Sequence, residues 1–409
     1  MMSFRFSFIK NTSIFFILPL TILSCGKKEA QNIVPQIQVD NSKVYFVTSD
    51  VVNKTSSFYA FNPQTKNLDL MPLIMTSNIG VKAFQSRDDQ GNLSHLYLTE
   101  DLSNSPARVT YFHELNDVFQ DTTNFPQNIK DMMIENGKLY TIGFDKKEIA
   151  QSDLNLKMVP LPKTTIQTFD PSDNYDEPNN FYAFLAHNSQ FYVVTKGQVN
   201  MDGKYEHIAE KIPAKLYSLN TQNLVSAPTS NIEIQADGQV CYDVSSSLKV
   251  SNSFLLVNCN PSWTKDLVPV IFSIDVSSSQ PIVHVYKVGV QGNEFTLGGL
   301  SQDKLNAFVT EDNGDYNNPK VVDAWWLNAR NASQIKEETQ AAYQVSYNKM
   351  SNSYVFSCAV DQNSKTCVNN TFALSSSINN GSIHGEIQFF ELNSVKNFSQ
   401  HSIDFFQEL

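Results

Sequence analysis

One short apolar and aromatic stretch, often closed by Thr or Ser, recurs seven times along this chain of 409 residues. It reads Val44-Tyr45-Phe46-Val47-Thr48, Leu96-Tyr97-Leu98-Thr99, Leu139-Tyr140-Thr141-Ile142-Gly143, Phe191-Tyr192-Val193-Val194-Thr195, Phe254-Leu255-Leu256-Val257-Asn258, Ala307-Phe308-Val309-Thr310 and Tyr354-Val355-Phe356-Ser357. Measured at the last position, successive copies lie 51, 44, 52, 63, 52 and 47 residues apart. Such a period means a supersecondary unit that cannot bury its apolar face alone and stacks on its neighbours. A second strand follows most copies: Phe58-Tyr59-Ala60-Phe61-Asn62, Val109-Thr110-Tyr111-Phe112, Leu216-Tyr217-Ser218-Leu219-Asn220, Ile271-Phe272-Ser273-Ile274-Asp275, Trp325-Trp326-Leu327-Asn328 and Ile387-Gln388-Phe389-Phe390-Glu391. Aromatic and β-branched residues suit half-buried pleated surfaces, and the Asn, Asp, Pro and Ser between them supply turns. The expected fold is all-β: a β-propeller of seven blades, each of four antiparallel strands, filling residues 33–409 as one domain. Two β-sandwiches in tandem are the alternative.

The stretch Phe58-Tyr59-Ala60-Phe61-Asn62-Pro63-Gln64-Thr65-Lys66 resembles the Leu-Tyr-Ala-Leu-Asp-x-x-Thr-Gly turn of quinoprotein-like propeller repeats, and Leu216 to Asn223 is a fainter echo. The chain is also similar in size and N-terminal signal to BamB-type outer-membrane assembly propellers. These resemblances imply a propeller, and the second implies an accessory role in outer-membrane protein assembly.

The first residues read as export information. Arg5 and Lys10 precede an apolar run, Ile14 to Leu23. That run is about ten residues long, fitting a signal peptide and roughly half of what a spanning helix needs. It ends at Ile22-Leu23-Ser24-Cys25-Gly26, which resembles the lipobox of bacterial lipoproteins. The resemblance implies cleavage after residue 24, lipidation of Cys25 and a tether over residues 25–32. Gly26 in place of Asp implies sorting to the outer membrane, so the membrane is a partner through the lipid.

Removal of residues 1–24 takes Arg5 and Lys10, leaving 28 basic against 41 acidic side chains and a net charge of −13. An acidic body argues against nucleic acid, whose phosphates demand Lys and Arg. Besides Cys25 there are Cys241, Cys259, Cys358 and Cys367. Proximity favours disulfides Cys241–Cys259 and Cys358–Cys367 in an oxidising compartment. Free buried thiols are the alternative, and the spacing matches no zinc motif.

In a propeller, the loops from second to third strands and from each blade to the next share one face. Here those connections hold the length, near 157–180, 196–214, 259–269, 311–322 and 359–385, and long loops on a rigid scaffold carry binding. Two acidic clusters fall there: Asp170, Asp173, Asp176 and Glu177, and Glu311, Asp312 and Asp315. Clustered carboxylates can ligate Ca²⁺, although neither cluster follows the EF-hand pattern and each also reads as a solvated loop. Tyr175, Trp263 and Tyr316 could stack on a sugar or grip a peptide. The seven histidines are scattered, with no H-E-x-x-H and no G-x-S-x-G elbow. The sequence therefore favours a binding or scaffolding lipoprotein with a protein or glycan partner over an enzyme. A metal-dependent hydrolase on the acidic loops is the alternative.

Overall fold

The computed structural model describes residues 39–409 except 51–54, 77–81, 88–89, 91, 101–107, 114–117, 122–128, 144–147, 154–164, 169–179, 189, 203–206, 221–229, 265, 316–319, 338–343, 358–370, 376–377, 380–381, 384–386, 392–400 and 409. The export signal, Cys25 and the tether lie outside these residues. Each recurring stretch forms the second strand of its own sheet. These strands are Val44–Asp50, Leu93–Glu100, Lys138–Gly143, Gln190–Thr195, Phe254–Cys259, Asn306–Asp312 and Ser353–Ser357. Among the described residues they belong to six sheets of four strands and one of five, beside three small two-stranded ribbons. The one helical element among those residues is a 3₁₀ turn at Ser262–Thr264. The chain is an all-β propeller.

Core packing explains why the second strands are continuously apolar instead of alternating. Phe254–Cys259 and Ser353–Ser357 are buried at every position, because neighbouring sheets stack on both of their faces. Each hydrophobic cluster joins two sheets. Met133, Tyr140 and Ile142 meet Phe181, Phe184 and Phe191. Leu185 and Val194 meet Leu255, Val257 and Phe272. Phe254 and Ile271 meet Phe295, Val309 and Trp325. Fourth strands lie outermost: Ser230–Glu233 is exposed throughout, and its sequence has no apolar run.

The polar residues that close the recurring stretches are buried too, at 1% exposure for Thr48, Thr99, Thr195 and Asn258 and 0% for Thr310. They act as joints. Thr195 Oγ1 accepts from the Lys215 amide of the third strand at 2.9 Å. Asn258 Nδ2 donates to the Phe295 carbonyl of the next sheet at 2.6 Å.

The ring closes through its ends. The strand His401–Phe405 pairs antiparallel with Val44–Asp50 and becomes the first strand of that sheet. Gln407–Glu408 then runs parallel to Phe84–Gln85 in the following sheet.

Two assignments made from sequence need correction. Ile387–Glu391 is the fourth strand of its sheet, not the third; Thr371–Ser375 lies between it and Ser353–Ser357. The stretch 359–385 therefore holds a strand that its polar composition concealed. The stretch 196–214 is likewise not a plain loop: Gln198–Met201 and Ile208–Ile212 form a hairpin there.

Cys241 and Cys259 are bonded, with sulfurs 2.02 Å apart and Cα atoms 5.3 Å apart. The bond fastens the connection entering one sheet to the end of its second strand. A loop of 18 residues is closed, which by loop entropy stabilises by about 3 kcal/mol. Beside it, Asp237 and Gly238 turn the ribbon Gln235–Val240 with φ of 49° and 77°. Both are left-handed, which explains the Asp-Gly pair at a two-residue hairpin. Cys358 and Cys367 lie outside the described residues.

Candidate ligand site in the central channel

First strands are the closest to the propeller axis, so their inward side chains line the channel. A cavity of about 580 Å³ lies there. Its walls come from the first strands Lys82–Arg87, Ile129–Glu135, Val244–Ser251, Glu294–Leu300, Gln344–Asn348 and His401–Phe405 and the residues that follow them. Gly299 allows two of these strands to approach. Its φ is 147°, and a Cβ there would stand 2.5 Å from the Val345 carbonyl oxygen of the neighbouring sheet. Any side chain at this bulge would push the walls apart.

Cations outnumber acids in the lining. Lys82, Arg87, Lys249 and Lys304 face Asp131 and Asp303. Both acids have structural bonds. Asp131 Oδ1 lies 3.1 Å from Lys249 Nζ and accepts the Met132 amide at 2.8 Å. Its Oδ2 accepts the Phe184 amide at 3.0 Å. Asp303 Oδ1 accepts Ser301 Oγ at 2.5 Å and the Leu305 amide at 3.0 Å. The lining thus carries excess positive charge inside a chain of net charge −11. Gln85, Gln302, Gln344, Ser301 and Ser346 add amides and hydroxyls, and Leu297, Val345 and Phe406 add apolar wall. Toward one end the cavity is bounded by Arg87, Gln90, Gln302, Lys304 and Tyr347. These sit at or beside the turns between first and second strands.

That end is opposite to the face the sequence singled out. Of the residues the sequence assigned to that face, Asp170, Asp173, Tyr175, Asp176, Glu177 and Tyr316 lie outside the described residues. Glu311 is buried, and its Oε1 accepts the Val290 amide at 2.8 Å and Asn293 Nδ2 at 2.9 Å, closing the connection between two sheets. Asp315 is exposed. Trp263 is 40% exposed on the 3₁₀ turn. Among the described residues, no three His, Cys, Asp or Glu side chains are arranged to hold a metal ion.

Asp312 sits in this acidic corner. Burial pushes its carboxyl up to about 6, with the charges of Glu294 and Glu311 adding to the shift and the Gly314 amide, 2.7 Å away, opposing it. A raised native pKa means the folded chain keeps a proton that the unfolded chain has lost. Stability therefore falls as pH rises from about 4 to about 6 and stays reduced above. Asp312→Asn retains the acceptor for Gly314 without the charge. It should raise the midpoint of thermal unfolding at pH 7 and leave it nearly unchanged at pH 4; an equal effect at both would sink this account.

No family model matches the chain, and no curated protein does. Among solved structures, a candidate 6-phosphogluconolactonase from Bacteroides uniformis aligns over 89% of this chain and 99% of its own, at 9% identity and a TM-score of 0.51. A hypothetical selenium-binding protein from Sulfolobus tokodaii aligns over 90% and 92%, also at 9% identity and 0.51. Identity this low shows a shared fold alone.

The channel residues were not found from sequence because several of the first strands that line the cavity lack the strong apolar pattern. Val244–Ser251 reads VSSSLKVS and Gln344–Asn348 reads QVSYN. Polar residues inside a strand that precedes a recurring stretch are the signal that could have found them.

Proposed function

We propose that this chain is a lipid-anchored binding protein of the bacterial outer membrane, a seven-bladed propeller that holds a small acidic glycan in its central channel. The supporting observation is the lining: cations, amides and hydroxyls converge from different sheets on one cavity of about 580 Å³. That size lies within the usual range for small-molecule sites. Lys82, Arg87 and Lys304 suit a carboxylate or other anionic substituent, glutamines and serines suit sugar hydroxyls, and the apolar patches suit the faces of sugar rings. The lipobox-like Ile22 to Gly26 segment supports the anchor, and seven recurring strands that each enter a separate sheet support the blade count.

Titration calorimetry of the purified protein against matched acidic and neutral oligosaccharides tests the reading. Acidic members should bind. The double substitution Lys82→Ala and Lys304→Ala should weaken them roughly tenfold or more, since hydrogen bonds to charged groups contribute about 1.5–3 kcal/mol each. Equal affinity for neutral glycans, or indifference to both substitutions, would remove the channel as the site. Cleaved product in the calorimeter cell would recast the protein as a hydrolase.

A further inference from the structure

We infer that the face built by the turns between first and second strands rests on the lipid surface, with Leu305 and Met350 seated among the headgroups and acyl ends. This rests on the reading that Cys25 carries lipid.

The chain reaches its first strand on this face. Asp40 to Lys43 turn into the start of Val44–Asp50, and the end of that strand points to the opposite side. The entry point is pinned to neighbouring turns. Asn348 Nδ2 donates to the Asn41 carbonyl at 3.1 Å, and the Leu93 amide donates to Asn41 Oδ1 at 2.6 Å. Only residues 26–38 separate a lipid on Cys25 from this point. Thirteen residues at most reach about 45 Å when fully extended and far less as a relaxed coil. The tether therefore favours presenting this side to the membrane.

The side chains found there suit that position. Leu305 is 58% exposed and Met350 is 60% exposed. Their turns are adjacent: the Gln302 amide donates to Tyr354 Oη at 3.0 Å, joining the two sheets at this end. Each apolar side chain follows a lysine, Lys304 and Lys349. The Lys349 ammonium is bonded to the Gln90 carbonyl and to Asn92 Oδ1. Exposed apolar side chains on turn tips are the composition of an interfacial contact, where they enter the boundary of the apolar layer. The same turns bound the cavity, so its mouth would open toward the headgroups and its ligand would arrive along the membrane.

The native tryptophans provide an internal control. Trp325 and Trp326 are buried, and Trp263 is exposed on the far face. The full-length acylated protein is placed in vesicles of phosphatidylethanolamine and phosphatidylglycerol with brominated acyl chains, which quench indole at close range. Wild-type emission should be nearly unquenched. Met350→Trp and Leu305→Trp should each add emission that brominated lipid removes severalfold more effectively than the native signal. Both sites are exposed turn tips, so two variants guard against a local folding defect in either. Unquenched emission from both variants, or quenching of the wild type through Trp263, overturns the inference while leaving the anchor and the channel standing. Mass spectrometry showing no acyl group on Cys25 overturns the anchor and this inference together. Calorimetry on the channel decides the glycan reading independently of either.

Discussion

Deleting residues 401–409 is expected to unfold the ring, not trim it. His401–Phe405 supplies the first strand of the sheet built on Val44–Asp50, from the pair Phe46–Phe405 to the pair Asp50–His401. Phe405 packs on Phe46 with ring centroids 6.1 Å apart. Phe406 packs on Phe58 at 5.6 Å and on Tyr45 at 6.4 Å. Both are almost fully buried, at 7% and 5% exposure. Losing two such side chains forfeits roughly 3–6 kcal/mol of transfer free energy. A domain's whole stability is about 5–15 kcal/mol. The deletion also bares the edge of Val44–Asp50, an open template for aggregation. The truncated protein should show a much lower urea midpoint or none, with loss of soluble monomer on gel filtration. A midpoint unchanged from wild type would mean that the terminal strand does not hold the ring.

Lys249→Met is expected to cost about 3–5 kcal/mol, the range for breaking a buried ion pair from one side. The two side chains are 7% and 11% exposed. Lys249 Nζ also donates to the Met132 carbonyl at 2.9 Å and lies 4.9 Å from the Phe184 ring centroid. Asp131, Phe184 and Lys249 stand on the first strands of three sheets, so one salt bridge binds three neighbours across the channel wall. Removing the ammonium leaves the Asp131 carboxylate buried with two backbone amides and no cation. The double substitution Asp131→Asn and Lys249→Met should recover much of the loss, because no buried charge remains and Asn can still accept one of the amides. Urea denaturation of both variants checks this. Equal destabilisation by the single and double changes would show that the carboxylate's hydrogen bonds, and not its charge, hold these strands.

How much could be read in advance depended on where each residue sits in its sheet. The seven second strands were plain, because burial on both faces makes their middle positions continuously apolar and the pattern recurs along the chain. Five of the six followers named from sequence are indeed third strands; Ile387–Glu391 is not. It is as aromatic as a third strand, and the true one, Thr371–Ser375, is a short apolar stretch set among polar residues. The Cys241–Cys259 bond was legible through proximity alone. The channel was not. Lys82, Gln85, Asp131, Lys249 and Gln344 lie far apart in sequence, on strands whose polar residues imitate loops.

The sequence by itself determined the β architecture and the length of the repeat, because burying an apolar strand on both faces needs a neighbour on each side. It also marked the loop-rich face through composition. Tertiary structure decided where a ligand could lie, since it brings polar first strands such as Lys82–Arg87, Val244–Ser251 and Gln344–Asn348 together around one cavity. It also decided which charges remain available: the Asp131 carboxylate is held by Lys249 and two amides, and Glu311 by an amide and an asparagine. Such partners are set by distances across blades, and those depend on how many sheets close the ring and at what tilt, which no local pattern encodes.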